Sequence, residues 1–376
     1  MIRLQRKTRS PSNSYGDQPW GGLNSKTVVV IGGGVAGWAA ARTLNQLGWQ
    51  VELHEKSPAA ASKGHALLLM ENGLRALESM GLKRDLLRKG TEIKFARTRV
   101  GGINNSEMLT NCVCLPRNAL VNALFLSKGI KLCHDSKVMC VDRDESGSFV
   151  KFHDGKIRRA DLIVGADGVH SVVRQFVAPD FEIRMGKVQE FVALLPTAEG
   201  SFLSSETVRK IHLPEQGLAA GIAPAGPGQE VVWVQFDHQK WCREQQSDDE
   251  LLETILTNLP FAVASRIRSS QAVHRWRTCD AVTLDKMSRD NVLLVGDAAH
   301  PCLPFTSQGA NAALVDAVNL GQALRCHSTM SDAIDQFCVE SAATANRHLQ
   351  AGRTLEREFL SGRMTALPRS ASLAVA

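Results

Sequence analysis

Asp297 follows a buried apolar run, Val292 to Val295, and precedes a turn with Pro301 and Pro304. From that turn a helix is expected to open at Gly309. A carboxylate at the end of a strand accepts hydrogen bonds from hydroxyls, and a helix N-terminus close behind it offers an anion unpaired N–H groups. Together they suit a ligand that carries a polyol chain and an anionic ring. Near the other end of the chain, Gly32, Gly34 and Gly37 form the spacing Gly-x-Gly-x-x-Gly, with Glu55 about twenty residues further on. Gly32 permits a tight turn, Gly34 lets the backbone approach a pyrophosphate, and Gly37 lets helix and strand pack closely. The helix start at Val35 and Ala36 would carry the phosphates, and Glu55 would accept from a ribose hydroxyl.

These residues act only in strand–turn–helix–strand order, and the flanking sequence supplies it. Lys26 to Ile31 is a β-branched strand, Val35 to Leu47 is Ala-rich and helical, and Gln50 to Glu55 is a second strand. Leu162 to Val164 is a third, ending in Gly165-Ala-Asp167-Gly168 before a short helix with Ser171 and Arg174. Asp167 is placed either to cap that helix or to face a ligand. Arg117 opens an amphipathic helix, where it would pair with a phosphate or with a neighbouring acid. Arg42, in the first helix, is expected to be solvated rather than to touch phosphate.

Composition narrows the class. The 376 residues exceed one typical core, and 44% apolar with 22% charged is ordinary for a globular protein. Much of the +6 net charge lies in a Ser/Pro/Gly/Asn-rich leader, where Arg3, Arg6, Lys7, Arg9 and Lys26 face only Asp17. No basic surface for nucleic acid is therefore indicated, and residues 1–25 read as a disordered tail. No run is long and apolar enough for a membrane span or a secretory signal. Nine scattered cysteines without a CxxC pair fit a reducing cytoplasm and no metal site. Cys112 and Cys114 suit a shared core face, and Cys302 stands inside the proline turn as a small packing residue.

The ordered set Gly32–Gly37, Glu55, Arg117, Gly165-Ala-Asp-Gly168 and Gly296-Asp297…Pro304…Gly309-Ala310-Asn311 resembles the single-component, group A FAD-dependent aromatic monooxygenases. These are the p-hydroxybenzoate, salicylate and kynurenine hydroxylases and the quinolone-pathway enzymes, and the resemblance spans about Lys26 to Gln350. It implies an α/β fold with a Rossmann-like FAD-binding domain, an inserted β-sheet substrate domain and C-terminal helices. On that pattern residues 26–180 and 286–325 form the FAD domain, 181–285 the substrate domain and 326–376 a helical section with a trailing end. Glu55 would hold the adenosine ribose, Arg117 the pyrophosphate region and Asp297 the ribityl hydroxyls. The backbone from Gly309 to Asn311 would face the flavin pyrimidine, and Asp167-Gly168 would contribute to FAD and NAD(P)H binding. Many relatives carry Gly-Gln-Gly where this chain has Ser307-Gln308-Gly309, so the turn there is expected to differ.

The resemblance further implies that NAD(P)H, as transient electron donor, reduces FAD, and that O2 adds to form a C4a-hydroperoxyflavin that hydroxylates a small aromatic or heteroaromatic substrate. A reductase resembling the prenyl reductases, a flavin-dependent halogenase and a non-catalytic flavin-binding protein remain alternatives on the same fold. Glu190 to Leu195, Val208 to Leu213, Leu218 to Ile222 and Val231 to Phe236 read as strands of the substrate sheet. Phe191, His212, Trp233 and Phe236 are candidates for its pocket. The single tyrosine, Tyr15, lies in the tail. With no tyrosine in the core, His212 and His238 are the candidate bases, and no catalytic residue is otherwise identified. His300 reads as structural. A homodimer or a monomer would both fit.

Overall fold

The β-branched run Thr27–Ile31 is the centre of a six-stranded sheet, paired in parallel with Gln50–His54 on one side and Leu162–Gly165 on the other. Ile130–Cys133 and Val292–Leu294 extend the sheet in parallel at either side, and antiparallel Ser288–Arg289 closes one edge. Strands covered on both faces read as continuous apolar runs. Val28 to Ile31 and Leu162 to Val164 are buried throughout. The computed structural model describes residues 26–58, 65–125, 129–197, 206–282 and 286–363, so the N-terminal segment with Tyr15 and the end of the trailing segment lie outside the described residues.

The helix Val35–Gln46 packs against the sheet and against the long helix Gln308–Cys326. Small residues make that approach possible: a Cβ on Gly321 would stand 2.4 Å from Thr43 Cγ2. Arg42, half-buried, donates to the Met80 carbonyl at 3.3 Å.

A seven-stranded sheet forms the second layer, in the order His274–Trp276, Val188–Pro196, Gln229–Asp237, Leu218–Pro224, Thr207–Leu213, Phe95–Val100 and Ile103–Met108. The last two strands fall inside the span expected for the cofactor domain. Phe95–Val100 instead pairs in parallel with Thr207–Leu213, and the Lys94–Glu206 ion pair at 2.6 Å anchors the start of that pairing. One face of the sheet, with Phe191, Val234 and Phe236, is covered by the helices Asp248–Leu256 and Phe261–Arg268. The opposite face carries alternate residues toward the six-stranded layer.

The final helix, Met330–Leu360, starts at the cap Thr329, whose side chain accepts from Asp332 N, and packs along Gln308–Cys326. Its far end holds the second layer in place. Glu356 accepts from Lys187 N at 2.6 Å and from Arg184 at 2.8 Å, while Arg184 and Arg353 both reach the fully buried Asp280. No helix among the described residues is long and apolar enough to cross a membrane.

Candidate active site

Between the two layers lies one cavity of about 370 Å³. Its walls include Gly34, Val35, Ala36, Arg117, Gly168, Asp297, Pro304, Gly309 and Ala310, drawn from four separate stretches of sequence. The glycine turn supplies the first wall. A Cβ on Gly32, which has φ +106°, would stand 2.4 Å from the Ala166 carbonyl oxygen, and one on Gly37 would stand 1.8 Å from that of Gly32. Those two glycines are required by the turn itself. Gly34 differs, because the nearest atom to a Cβ there is Arg117 Nη2 at 3.6 Å. Its open side faces the cavity.

The helix behind the turn has neither a side-chain cap nor an acid in its first turn. Its unpaired N–H groups and positive end are therefore left for an anion. Arg117 stands beside it, donating its backbone N–H to the His65 carbonyl and forming no ion pair among the described residues. Glu55 ends its strand with one oxygen accepting from Gly33 N at 2.7 Å and the other from Ser57 N at 2.8 Å. Burial works against its ionisation, but those N–H bonds outweigh it and hold the carboxyl below its ordinary range.

Asp297 occupies a short 3-10 turn, Gly296–Ala298, directly after the strand Val292–Leu294. Its carboxylate lines the cavity, 3.7 Å from the position of a Cβ on Gly309, and no described residue donates a hydrogen bond to it. Burial raises its pKa, partly offset by His300, Arg117 and Arg174. Gly296 has φ +58°, and a Cβ there would stand 2.7 Å from the Ala36 methyl, so the two walls meet at this point.

Serine is expected to avoid the left-handed region in the turn before the last wall, but here it occupies that region. Ser307 adopts φ +55°, ψ +24°, and the helix begins at Gln308, one residue before the expected start. Asn311 is fully buried. Its side chain accepts from Met70 N at 2.9 Å and donates to the carbonyls of Leu68 and Ser307. That amide is committed to the protein, which leaves Gly309 and Ala310 to present the helix start to the cavity.

Asp167 does not line the cavity; it caps the helix Val172–Val177. It accepts from Ser171 Oγ, from Val172 N at 2.7 Å and from Val173 N at 3.3 Å. Gly168 and Val169 take the cavity position. Arg174 is turned inward, donating to the carbonyls of Ala298 and Val169.

The two candidate bases lie elsewhere. His212 is buried on the sheet but stacks on Phe359, ring centroids 5.1 Å apart, outside the cavity lining. His238 is exposed at the start of a short helix. Of the four side chains expected from sequence to line the pocket, only Trp233 does so, since Phe191 and Phe236 belong to the helix-covered face. Residues not singled out from sequence take their place: Glu190, Lys210, Gln235, His65 and Trp276. Two-residue alternation in the strands Val188–Pro196, Thr207–Leu213 and Gln229–Asp237 was the available signal, because it puts Glu190, Lys210 and Gln235 on the face opposite Phe191 and Phe236. His65 packs edge-on to Trp276 at 4.6 Å, and burial, assisted by Arg117, pulls its pKa down to about 4. Cys302 and Cys279 also line the wall, and burial raises both thiols, Cys279 to about 11.

One cluster away from the cavity has ligand-type atoms close together: Glu52, His54 and Cys133. Glu52 is already bound by Lys131 at 2.7 Å and Arg158 at 3.3 Å, so its carboxylate serves an ion-pair network.

A glycine cradle, an uncapped helix start, Glu55 closing the second strand and an unpartnered carboxylate beside a second helix start define a dinucleotide-binding flavoprotein site. Residues 25–351 match the family model described as an FAD binding domain, and the chain belongs to that family. It is 28% identical to 3-amino-4-hydroxybenzoate 2-monooxygenase of Streptomyces cremeus, covering 88% of this chain and 87% of the relative. It is also 28% identical to a probable 2-heptyl-3-hydroxy-4(1H)-quinolone synthase of Rhodococcus erythropolis, with 83% of each chain covered. Among solved structures, the tetrameric form of 2-methyl-3-hydroxypyridine-5-carboxylic acid oxygenase superposes with a TM-score of 0.78 at 25% identity, covering 91% of this chain and 94% of that one.

Proposed function

We propose that this protein is an FAD-dependent monooxygenase that uses NAD(P)H and O2 to hydroxylate a small aromatic or heteroaromatic substrate. The observation that carries the reading is the cavity, which runs continuously from the phosphate-type glycine cradle past Asp297 to a sheet face lined with Trp233, Val192, Val208 and Val231. The named relatives carry it over the reductase, halogenase and non-catalytic readings. FAD, when bound, supplies the redox chemistry: it accepts hydride from NAD(P)H and activates O2.

The chain's own residues bind, orient and exclude water. Gly32, Gly34, Val35, Ala36 and Gly37 cradle the pyrophosphate, with Arg117 beside it and Glu55 on the adenosine ribose. Asp297 accepts from the ribityl hydroxyls. Gly296 and Pro304 shape that wall, while Asp167 holds Gly168 in place from below. The N–H groups at Gly309 and Ala310 face the pyrimidine edge, and Asn311 fixes the helix that carries them. A helix N-terminus there stabilises negative charge on the reduced ring. The apolar sheet face keeps water from the reacting region. The nine unpaired cysteines support a reducing, cytoplasmic setting.

The test is direct. Purified protein is expected to retain FAD and to consume NAD(P)H in an O2-dependent manner that a hydroxylated aromatic or heteroaromatic acid accelerates. Retention of FAD without such consumption across a panel of electron-rich rings would overturn it.

A further inference from the structure

The sheet wall of the cavity carries a buried chain of three polar side chains. Lys210 Nζ donates to Gln235 Oε1 at 2.8 Å, and Gln235 Nε2 donates to Glu190 Oε1 at 2.5 Å. Strand register places them: Lys210 faces Gly221 and Gly221 faces Trp233 across neighbouring strands, while Gln235 faces Glu190 one step along. All three are buried, at 7%, 4% and 7% exposure, and all three line the same cavity as Asp297. Gly221 keeps the row open beside Lys210. A Cβ there would stand 2.1 Å from Trp233 Cζ2, so the indole lies flat over that position.

Burying a cation, an amide and an acid on an otherwise apolar wall is costly, and their hydrogen bonds to one another offset that cost only in part, so the set is not explained by stability alone. A primary amine suits it, because it can donate an N–H to Gln235 and, when neutral, carries a lone pair that takes a proton. We propose that Lys210 is the substrate-receiving group. Its neutral amine takes the proton of an acidic ring hydroxyl, the O–H bond breaking as the N–H bond forms, and the resulting ammonium holds the ring oxyanion. Gln235 fixes the amine's position, and Glu190 sets its charge through that amide. The substrate class is thereby narrowed to rings whose hydroxyl, or its lactam tautomer, ionises readily. An ionised hydroxyl makes a ring electron-rich, which is the property hydroxylation needs.

The electrostatics agree with this role. Burial pulls the Lys210 ammonium down to about 8, with Glu190 opposing, and burial pushes the Glu190 carboxyl up against Gln235 and Lys210. The titratable groups across the cavity are Arg117, His65, Asp297 and the thiols of Cys114, Cys279 and Cys302, and none belongs to the seven-stranded sheet.

The inference rests on the proposed oxygenase reading, and the test separates the two. The FAD-loaded protein is titrated with 4-nitrophenol, whose anion and neutral forms differ in colour. The wild type is expected to bind it as the phenolate at a pH where the free probe is largely neutral. Lys210→Met should lose at least 10-fold in affinity or bind the neutral form, and Lys210→Arg should restore anion binding. Glu190→Gln, which keeps the contact with Gln235, should change the bound phenolate fraction while FAD content stays that of the wild type. Equal phenolate fractions in wild type and Lys210→Met overturn the proposal, as does failure of the wild type to bind the probe. If Lys210→Met does not fold, Glu190→Gln and Lys210→Arg decide it. FAD retention and NAD(P)H oxidation, measured on the same samples, report on the oxygenase reading independently.

Discussion

His300 Nε2 lies 2.7 Å from Asp316 Oδ2, and the same carboxylate oxygen accepts from the Gly296 N–H at 2.8 Å. Ser341 Oγ, from the last helix, donates to the other oxygen at 2.7 Å. Asp316 thus ties the turn that carries Asp297 to both long helices. Removing it leaves His300 and a backbone N–H buried without a partner. Asp316→Ala should cost about 3–5 kcal/mol of stability, read as a fall in the denaturation midpoint, and should loosen FAD because the Gly296 turn is released.

The same pair gives a pH signature. Burial opposes charge on both groups, but each partner outweighs it, lowering Asp316 and raising His300. The Asp316 contribution is present above the unfolded carboxylate pKa and is lost as pH falls through the depressed folded value. The His300 contribution is present below its unfolded value and is lost as pH rises through the elevated folded one. The wild-type advantage in melting temperature over His300→Gln should therefore be largest from mildly acidic pH to near 6.5 and shrink on the alkaline side. An advantage that grows with rising pH would contradict this.

Asp297 is predicted to trade stability for binding. Burial raises its pKa, so the ionised carboxylate destabilises the cofactor-free protein above that value and the effect fades as pH falls. Asp297→Asn should raise the melting temperature of the cofactor-free protein at neutral pH. FAD affinity should meanwhile fall about 10- to 100-fold, as expected for hydrogen bonds to a charged acceptor. Calorimetry of the apoprotein and fluorescence titration with FAD measure the two halves separately.

Two glycines in one motif should behave differently. Gly37→Ala puts a methyl 1.8 Å from the Gly32 carbonyl oxygen and is expected to cost more than about 4 kcal/mol, preventing folding or nearly so. Gly34→Ala meets only the tip of Arg117 at 3.6 Å, at an ordinary φ of −79°. It should fold within about 0.5 kcal/mol of the wild type yet bind FAD poorly, since its methyl projects where a phosphate would rest. Melting curves of the cofactor-free variants distinguish the two cases.

Ser307 holds φ +55° without glycine. Ser307→Gly relieves left-handed strain but adds freedom to the unfolded chain, so the net gain should be about 0.5 kcal/mol, or ~1–2 °C in melting temperature. The Asn311 contact to the Ser307 carbonyl is backbone-directed and survives the change.

The parts of this site that sequence made legible are those in which a few adjacent residues carry the whole constraint. Gly32–Gly37 announces a turn because Cβ atoms would collide there, and Glu190 to Leu195 announces a strand by its apolar run. The unread parts depend on partners far along the chain. Asp316 sits unmarked in an Ala-rich helix until His300 and Ser341 fold onto it. Lys210 and Glu190 look like ordinary sheet charges until one of the two strands between them supplies Gln235. His212 has the right chemistry for a base, but Phe359, from the far end of the last helix, occupies its face. Asp167 shows the reverse case, where the local capping reading was sufficient.

The parallel pairing of Phe95–Val100 with Thr207–Leu213 has a consequence for evolution and for engineering. Residues 181–285 contain five strands of the seven-stranded sheet, and the other two are encoded before the third strand of the six-stranded sheet. Exchanging that segment with a relative's would therefore graft an incomplete sheet onto a foreign edge. Specificity in this chain should travel by substitution within the cavity wall, or by a crossover that carries residues 95–108 along, and not as a single transplantable cassette.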